Sequence, residues 1–262
     1  MINVVLSFDI DAETLWTSRD KENKIGPVML SQGAYGPKEG IPRILDLLNK
    51  RELSATFFIT GWVIEHYRSR CEDIVSAGHE VGHHNYNHEW PWRVNADVEK
   101  EAFDREMVIL KDLLGRTPSG YRAPGWEFSD VTMDLLLNSE IKYSSNFMDS
   151  DVPYRHIYKG NKTNLVELPV SWMLDDAAFF MHGLTYGPPQ FNPETVLSMW
   201  KAEFDALYKE ERDTCFILTM HPQIMGRPAR MAMLDKLVEY IRKKEGVRFI
   251  TAEALAEEYR GL

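Results

Sequence analysis

Three of the chain's 8 histidines fall within the short stretch Val81–His88 (VGHHNYNH). A core has no use for so many imidazoles and a solvated face seldom gathers them, whereas a bound cation would. His84 and His88 stand four apart, so a helical turn would put both rings on one face, able to chelate one ion; surface or packing histidines are the alternative. A second pair lies in Ser7–Asp11 (SFDID). Asp9 and Asp11 alternate on a predicted strand and so share a face, about 6.6–7 Å apart along it. One carboxylate could ligate a metal while the other stands a water's width away as a base; a turn cap and a solvated charge are the bland version. Two imidazoles and one carboxylate leave coordination positions open, as catalytic zinc requires, and the same set suits non-haem iron. His221, after the apolar run of ILTMHP, is either a buried histidine satisfied by a carbonyl or a general acid, with an ordinary pKa of about 6.5 suited to proton delivery at neutral pH. Arg122, in YRAPGW, either binds a structural carboxylate or orients Asp9 and keeps it ionised.

Such residues need a scaffold that brings strand ends together, and the patterning supplies one. Strands are predicted at Asn3–Asp11, Ala55–Thr60, His79–His83, SGYRAP, Leu165–Trp172, CFILTMHP and VRFIT. Helices are predicted at Ile41–Leu53, Val63–Ala77, Asp97–Leu114 (closed by Gly115), Val131–Asn138, Asn192 to about Glu210, Ala229–Lys244 and Ala252–Tyr259, the fifth starting from an Asn-Pro N-terminal signal. The alternation predicts an α/β fold with a parallel sheet and helical crossovers, and the strand count points to a closed barrel. Chemistry in such barrels sits at the C-terminal strand ends. Those ends carry Asp9 and Asp11; His83, His84 and His88; Arg122 with Trp126; Glu167, Trp172, Asp175 and Asp176; and His221. Thr14–Gly40 and Met173–Phe191 read as long irregular segments, and loops of that length tend to be functional. No linker composition or repeat divides the chain, so one domain over 1–262 is expected.

The bulk properties exclude several partners. Across 262 residues, 44% are hydrophobic and 27% charged, with a net charge of -10, ordinary for a globular protein and repelled by nucleic acid or an anionic membrane. No signal peptide and no membrane span is visible, so a cytoplasmic location is expected. Cys71 and Cys215 sit far apart in apolar settings and read as buried free thiols. Symmetric assembly of identical copies is a further expectation.

In order along nearly the whole chain, four segments resemble motifs of the polysaccharide deacetylase family (NodB homology, carbohydrate esterase family 4). SFDID resembles its T-F-D-D-G motif, GHEVGHHNYNH its G-N-H-[ST]-x-x-H metal motif, RAPGW its R-x-P-[YFW] motif and ILTMHP its L-x-L-H motif. The resemblance implies a distorted (β/α) barrel in which Asp9 is the general base, and Asp11, His84 and His88 bind zinc or a similar divalent ion. It further implies His221 as general acid and Arg122 as the group positioning Asp9. Trp126 and Leu218 would line the pocket, and Trp16 and Trp172 are further expected substrate contacts. The sequence departs from the pattern where the aspartates are spaced by one residue, where Asn85 replaces Ser or Thr, and where ELPVSWMLDD stands in place of D-x-x-D-W. Asp175 or Asp176 is then expected to tune His221 at the substrate site.

The variant resembles an intracellular branch that includes peptidoglycan-deacetylase-type and cyclic-imide-hydrolase-like members. The implied activity is metal-dependent hydrolysis of a non-peptide C–N bond, most simply N-deacetylation of an acetylated amino sugar or peptidoglycan fragment. Ring-opening of a cyclic imide or ureide, as in allantoinase, is the second reading. A carbohydrate-binding protein with a dead site ranks below both, because Asp9, Asp11, His84, His88 and His221 are all present. A non-haem iron oxygenase ranks last, because its usual all-β scaffold conflicts with the alternation.

Overall fold

In the computed structural model, which describes residues 2–18, 24–182, 190–210 and 212–261, the apolar N-terminal run forms the fully buried strand β1 (Ile2–Ile10). Eight more strands follow: β2 (Thr56–Ile59), β3 (Glu80–His83), β4 (Gly120–Tyr121), β5 (Tyr143–Ser144), β6 (Tyr154–Tyr158), β7 (Asn161–Glu167), β8 (Thr214–Met220) and β9 (Val247–Phe249). They form one sheet in the order β6-β7-β5-β4-β3-β2-β1-β8, parallel except for the β6–β7 hairpin. β8 runs beside the length of β1 from Ile2 to Phe8. The other edge of β1 is shared, with β9 along Ile2–Val4 and β2 along Ser7–Ile10.

The expected α/β barrel architecture is present as a curled half-barrel rather than a closed one. Among the described residues no ladder joins β8 to the far end of the sheet. The outer edge of β8 takes single contacts instead: Cys215 N–H donates to Asp151 O at 2.9 Å, and Thr219 bridges Asp175. Strands of two residues at β4 and β5 are too short to complete a ladder, and the β6–β7 hairpin, which sequence patterning did not resolve, occupies the opposite edge.

Alternation along β1 and β8 sorts side chains into two layers. Val4, Leu6, Phe8 and Ile10 with Phe216, Leu218 and Met220 pack under the outer helices. Val5 and Ile217 face the concave side with Phe58, Tyr143 and Val166, where Leu255 and Ala256 of the last helix plug one end. The same inward face continues up β1 as Ser7 and Asp9, so the period that builds the core also delivers the carboxylate to the mouth.

The helices largely follow the predicted pattern, with caps that explain their ends. Asn95 accepts the N–H of Val98 at 2.9 Å to start Ala96–Leu114, and Gly115, at φ 67°, stops it. Three expectations are corrected. The predicted helix Val63–Ala77 is two, Gly61–His66 and Arg68–Ser76, broken at Tyr67 (φ -130°, ψ 38°), whose hydroxyl reaches Glu13 at 2.6 Å. The supposed irregular stretch Thr14–Gly40 holds short helices at Thr14–Thr17 and Pro27–Tyr35 and a π-turn at Gly36–Gly40, with 19–23 outside the described residues. Within Met173–Phe191, a short helix covers Ala177–Phe180, and 183–189 lie outside the described residues. Both cysteines are free and buried, as expected. Among the described residues no helix is long and apolar enough to cross a membrane.

Candidate active site

Beyond the C-terminal ends of β1, β3, β4 and β8, six ionisable side chains converge. Asp9 ends the inward face of β1, and Asp11 follows where the chain turns sharply at Ala12 (φ 49°), its carbonyl accepting from Thr14 Oγ1 at 2.6 Å. Asp11 is completely buried, and neither of its carboxylate oxygens receives a hydrogen bond. His84 Nε2 lies 3.2 Å and His88 Nε2 3.7 Å from Asp11 Oδ1. Burial opposes charge on Asp11, but His88 and His84 outweigh it and hold the carboxyl below the usual range. A buried carboxylate without donors, facing two imidazole nitrogens, is a donor set that fits a divalent cation.

The two histidines meet without a helix. The segment after β3 is a tight turn in which Asn85 (φ 61°) and His88 (φ 55°) are left-handed. The expected helical i, i+4 geometry is therefore corrected: a left-handed turn, not a helix, brings the His84 and His88 rings together. Asn85, at the position where the resembled motif has Ser or Thr, tolerates that backbone better than most residues and donates from Nδ2 to Glu89 O at 3.1 Å. His84 Nδ1 lies 2.7 Å from Arg122 O, which places a proton on Nδ1 and leaves Nε2 as the donor atom toward Asp11.

Arg122, just past β4 and 1% exposed, bonds from Nη1 to Asp9 Oδ1 and to Ser7 Oγ, both at 2.8 Å, and from Nη2 to Ser145 Oγ at 2.9 Å. Its guanidinium lies 4.3 Å over the Phe58 ring. The structure thus places Arg122 on Asp9 rather than on a remote carboxylate. On the opposite wall, His221 Nδ1 is 2.6 Å from Asp176 Oδ1, and its backbone N–H donates to Asp176 Oδ2 at 3.0 Å, while Asp175 Oδ1 stands at 3.8 Å. Burial would lower the His221 pKa, but the charge and hydrogen bond of Asp176, with Asp175 and Asp11 behind it, raise it well above the ordinary value. Burial pushes Asp175 up to about 7. His221 Nε2, the nitrogen left over, lies 3.7 Å from Asp11 Oδ2.

Over these groups opens a cleft of about 680 Å³ whose wall includes Trp90, Trp92, Trp126, Phe128 and Trp172. Trp126 and Trp172 pack with ring centroids 4.4 Å apart, and Trp172 remains 49% exposed. Two predicted lining residues are elsewhere. Leu218 is wholly buried in the outer layer with Val4 and Phe8, because alternation on β8 turns it away from the concave side that receives Thr219 and His221. Trp16 points to a separate cavity, and its neighbour Leu15 faces the cleft instead. Two strand-end residues prove architectural. His83 is buried with Nε2 3.1 Å from Phe103 O, and burial drops its pKa to about 3. Glu167 accepts from Asn146 and Phe147 N–H and meets His156 at 2.7 Å.

Sequence reasoning missed Glu106, midway along Ala96–Leu114. Its fully buried carboxylate accepts the His84 N–H at 2.6 Å and the Gly61 N–H at 3.3 Å, fastening the turn that carries both imidazoles. A glutamate on an amphipathic helix gives no signal of that role.

The sequence model of the polysaccharide deacetylase family matches residues 32–144. A Helicobacter pylori protein named peptidoglycan deacetylase is 35% identical over 98% of this chain and 96% of its own. A crystal structure from Mycobacterium smegmatis, classed as a polysaccharide deacetylase, superposes with a TM-score of 0.90 at 33% identity, covering 99% of this chain and 90% of its own. The Puue allantoinase structure has a TM-score of 0.86 at 21% identity over 99% and 90% of the two chains, a likeness of fold. The chain belongs to the polysaccharide deacetylase family, a family of hydrolases.

Proposed function

We propose that the protein is a metal-dependent hydrolase that removes the N-acetyl group from an acetylated amino sugar, such as a peptidoglycan fragment. The observation that carries this reading is the placement of Asp9–Arg122 and His221–Asp176 on opposite sides of Asp11, His84 and His88, at the floor of an aromatic cleft. Asp11, His84 and His88 would hold a divalent ion, zinc being the ion their two nitrogens and one oxygen suit best; such an ion polarises an amide carbonyl and acidifies water. Asp9 accepts the proton of the attacking water, its carboxylate held in place by Arg122, which Ser7 and Ser145 anchor in turn. His221, kept protonated by Asp176, gives the proton on Nε2 to the departing nitrogen. Water and amide become acetate and a free amine; the proton taken up by Asp9 is released to solvent, and the one His221 gave away is recovered from it. Aromatic walls suit the apolar faces of a sugar ring, and Trp172, packed on buried Trp126, stays exposed enough to offer one.

Acetate release from N-acetylglucosamine oligomers, run beside ring-opening of succinimide, dihydrouracil and allantoin, tests the substrate class. Acetate release alone is the expected result. Turnover confined to the cyclic amides would replace the deacetylase reading with the imide one.

A further inference from the structure

A second cavity, of about 270 Å³, lies beside the catalytic cleft, and Met181 lines both. Its wall includes Trp16, Gln32, Gln223, Arg227 and Arg230 and, among the described residues, no acidic one, in a chain whose net charge is -10. Trp16 and Gln223 are only 4% and 5% exposed, yet the indole Nε1 and both amide atoms of Gln223 have no hydrogen-bond partner. Arg230 is partly buried, donates from Nη1 to Ile224 O at 2.9 Å and lies 4.6 Å over the Phe180 ring. Arg227 is held 3.5 Å over the Tyr35 ring. Among the described residues neither guanidinium forms an ion pair; Asp176 acts on Arg230 only from a distance and is already engaged with His221. The 15-residue helix Pro228–Arg242 begins at this wall, which its N-cap residue Arg227 and its first-turn residue Arg230 line.

Buried polar atoms without partners and cations drawn partly from water without an ion pair both lower stability. Their concentration around one small empty space calls for a ligand that supplies what the chain withholds. We infer that this cavity binds a small oxyanion, a carboxylate or a phosphate, through Arg227 and Arg230, with Gln223 and Trp16 completing the polar contacts. Pairs of guanidinium N–H groups match the geometry of either anion. The volume is just under the usual ligand-pocket range of about 300–1,000 Å³, which limits the ligand to the anion and a few attached atoms. Because Met181 is a shared wall, the anion is either free or the acidic substituent of a sugar lying in the cleft. The inference does not depend on the deacetylase reading.

Calorimetric titration of the metal-loaded protein with inorganic phosphate, and separately with D-lactate, tests it. One anion site is expected, persisting in His84→Ala and weakened at least about tenfold in Arg227→Gln and Gln223→Leu. Near-UV circular dichroism matched to the wild type establishes that each variant is folded. Binding that disappears in His84→Ala and survives in both cavity variants would locate the anion at the catalytic centre and overturn the inference, as would no binding of either anion. Rates on an N-acetylated amino sugar with and without a lactyl carboxylate separate the two sources. A loss in Arg227→Gln confined to the acidic sugar assigns the anion to substrate, and equal rates with weakened phosphate binding assign it to a free ion.

Discussion

At the scale of single residues, Asp9 at the end of β1 and Asp11 just beyond it are given different work by their partners. Arg122, itself held by Ser7 Oγ, grips Asp9, whereas Asp11 meets only imidazole nitrogens. His84→Ala is therefore expected to lose both bound metal and turnover, while Asp9→Asn keeps its metal and loses about 10²–10⁴-fold in kcat; metal content and acetate release measured on the same samples check both. Asp176 sets the protonation of His221. A general acid works while protonated, so activity is present below its pKa and lost as pH rises through it. The charge of Asp176 raises that pKa, so Asp176→Asn should move the alkaline limb of the kcat–pH profile to lower pH. An unmoved limb would show that His221 is not the group titrating there. The candidate residues at this scale were legible because imidazoles and carboxylates cluster at predicted strand ends. Glu106 was not, since its bond to the His84 N–H links residues 22 apart across a helix–strand contact.

At the scale of elements, the turn carrying His221 depends on close backbone packing. A Cβ at Gly40, in the π-turn Gly36–Gly40, would stand 2.2 Å from Pro222 O, and one at Gly226 would stand 2.3 Å from the Gly40 Cα. Pro222, the residue after His221, thus rests directly on a segment 182 positions earlier in the chain. Gly40→Ala should cost about 1–3 kcal/mol, as overpacking does, and lower kcat in the same variant. Denaturant midpoints beside steady-state rates check this; a destabilised variant with wild-type kcat would uncouple the turn from His221. Periodicity exposed the helices and long strands well, but not the break at Tyr67 or the β6–β7 hairpin. The Tyr67 break leaves its hydroxyl on distant Glu13, and β6 carries no strong alternation to mark it.

At the scale of the molecule, two apolar layers on either side of β1 and β8 decide which residues can reach the cleft. Leu218 belongs to the outer layer, beneath the helices. Leu218→Ala should cost about 2–5 kcal/mol of stability with KM for substrate unchanged, as thermal unfolding and saturation kinetics would register. A raised KM in a folded variant would return Leu218 to the pocket wall. The sheet's failure to close belongs to this scale too, since β4 and β5 contribute only two residues each and β8 ends the path.

The amino-acid sequence alone determined the alternation of strands and helices, the strand-end residues and the ordered motifs, because these follow from local periodicity and residue chemistry. Tertiary structure alone decided that Arg122 reaches Asp9, that Asp176 rather than Asp175 bonds His221, that a left-handed turn joins His84 to His88, and that Trp16 and Leu218 face away from the cleft. Each of those outcomes depends on the side to which a backbone turns its side chain and on which distant segment meets it there, and packing across the whole chain sets both.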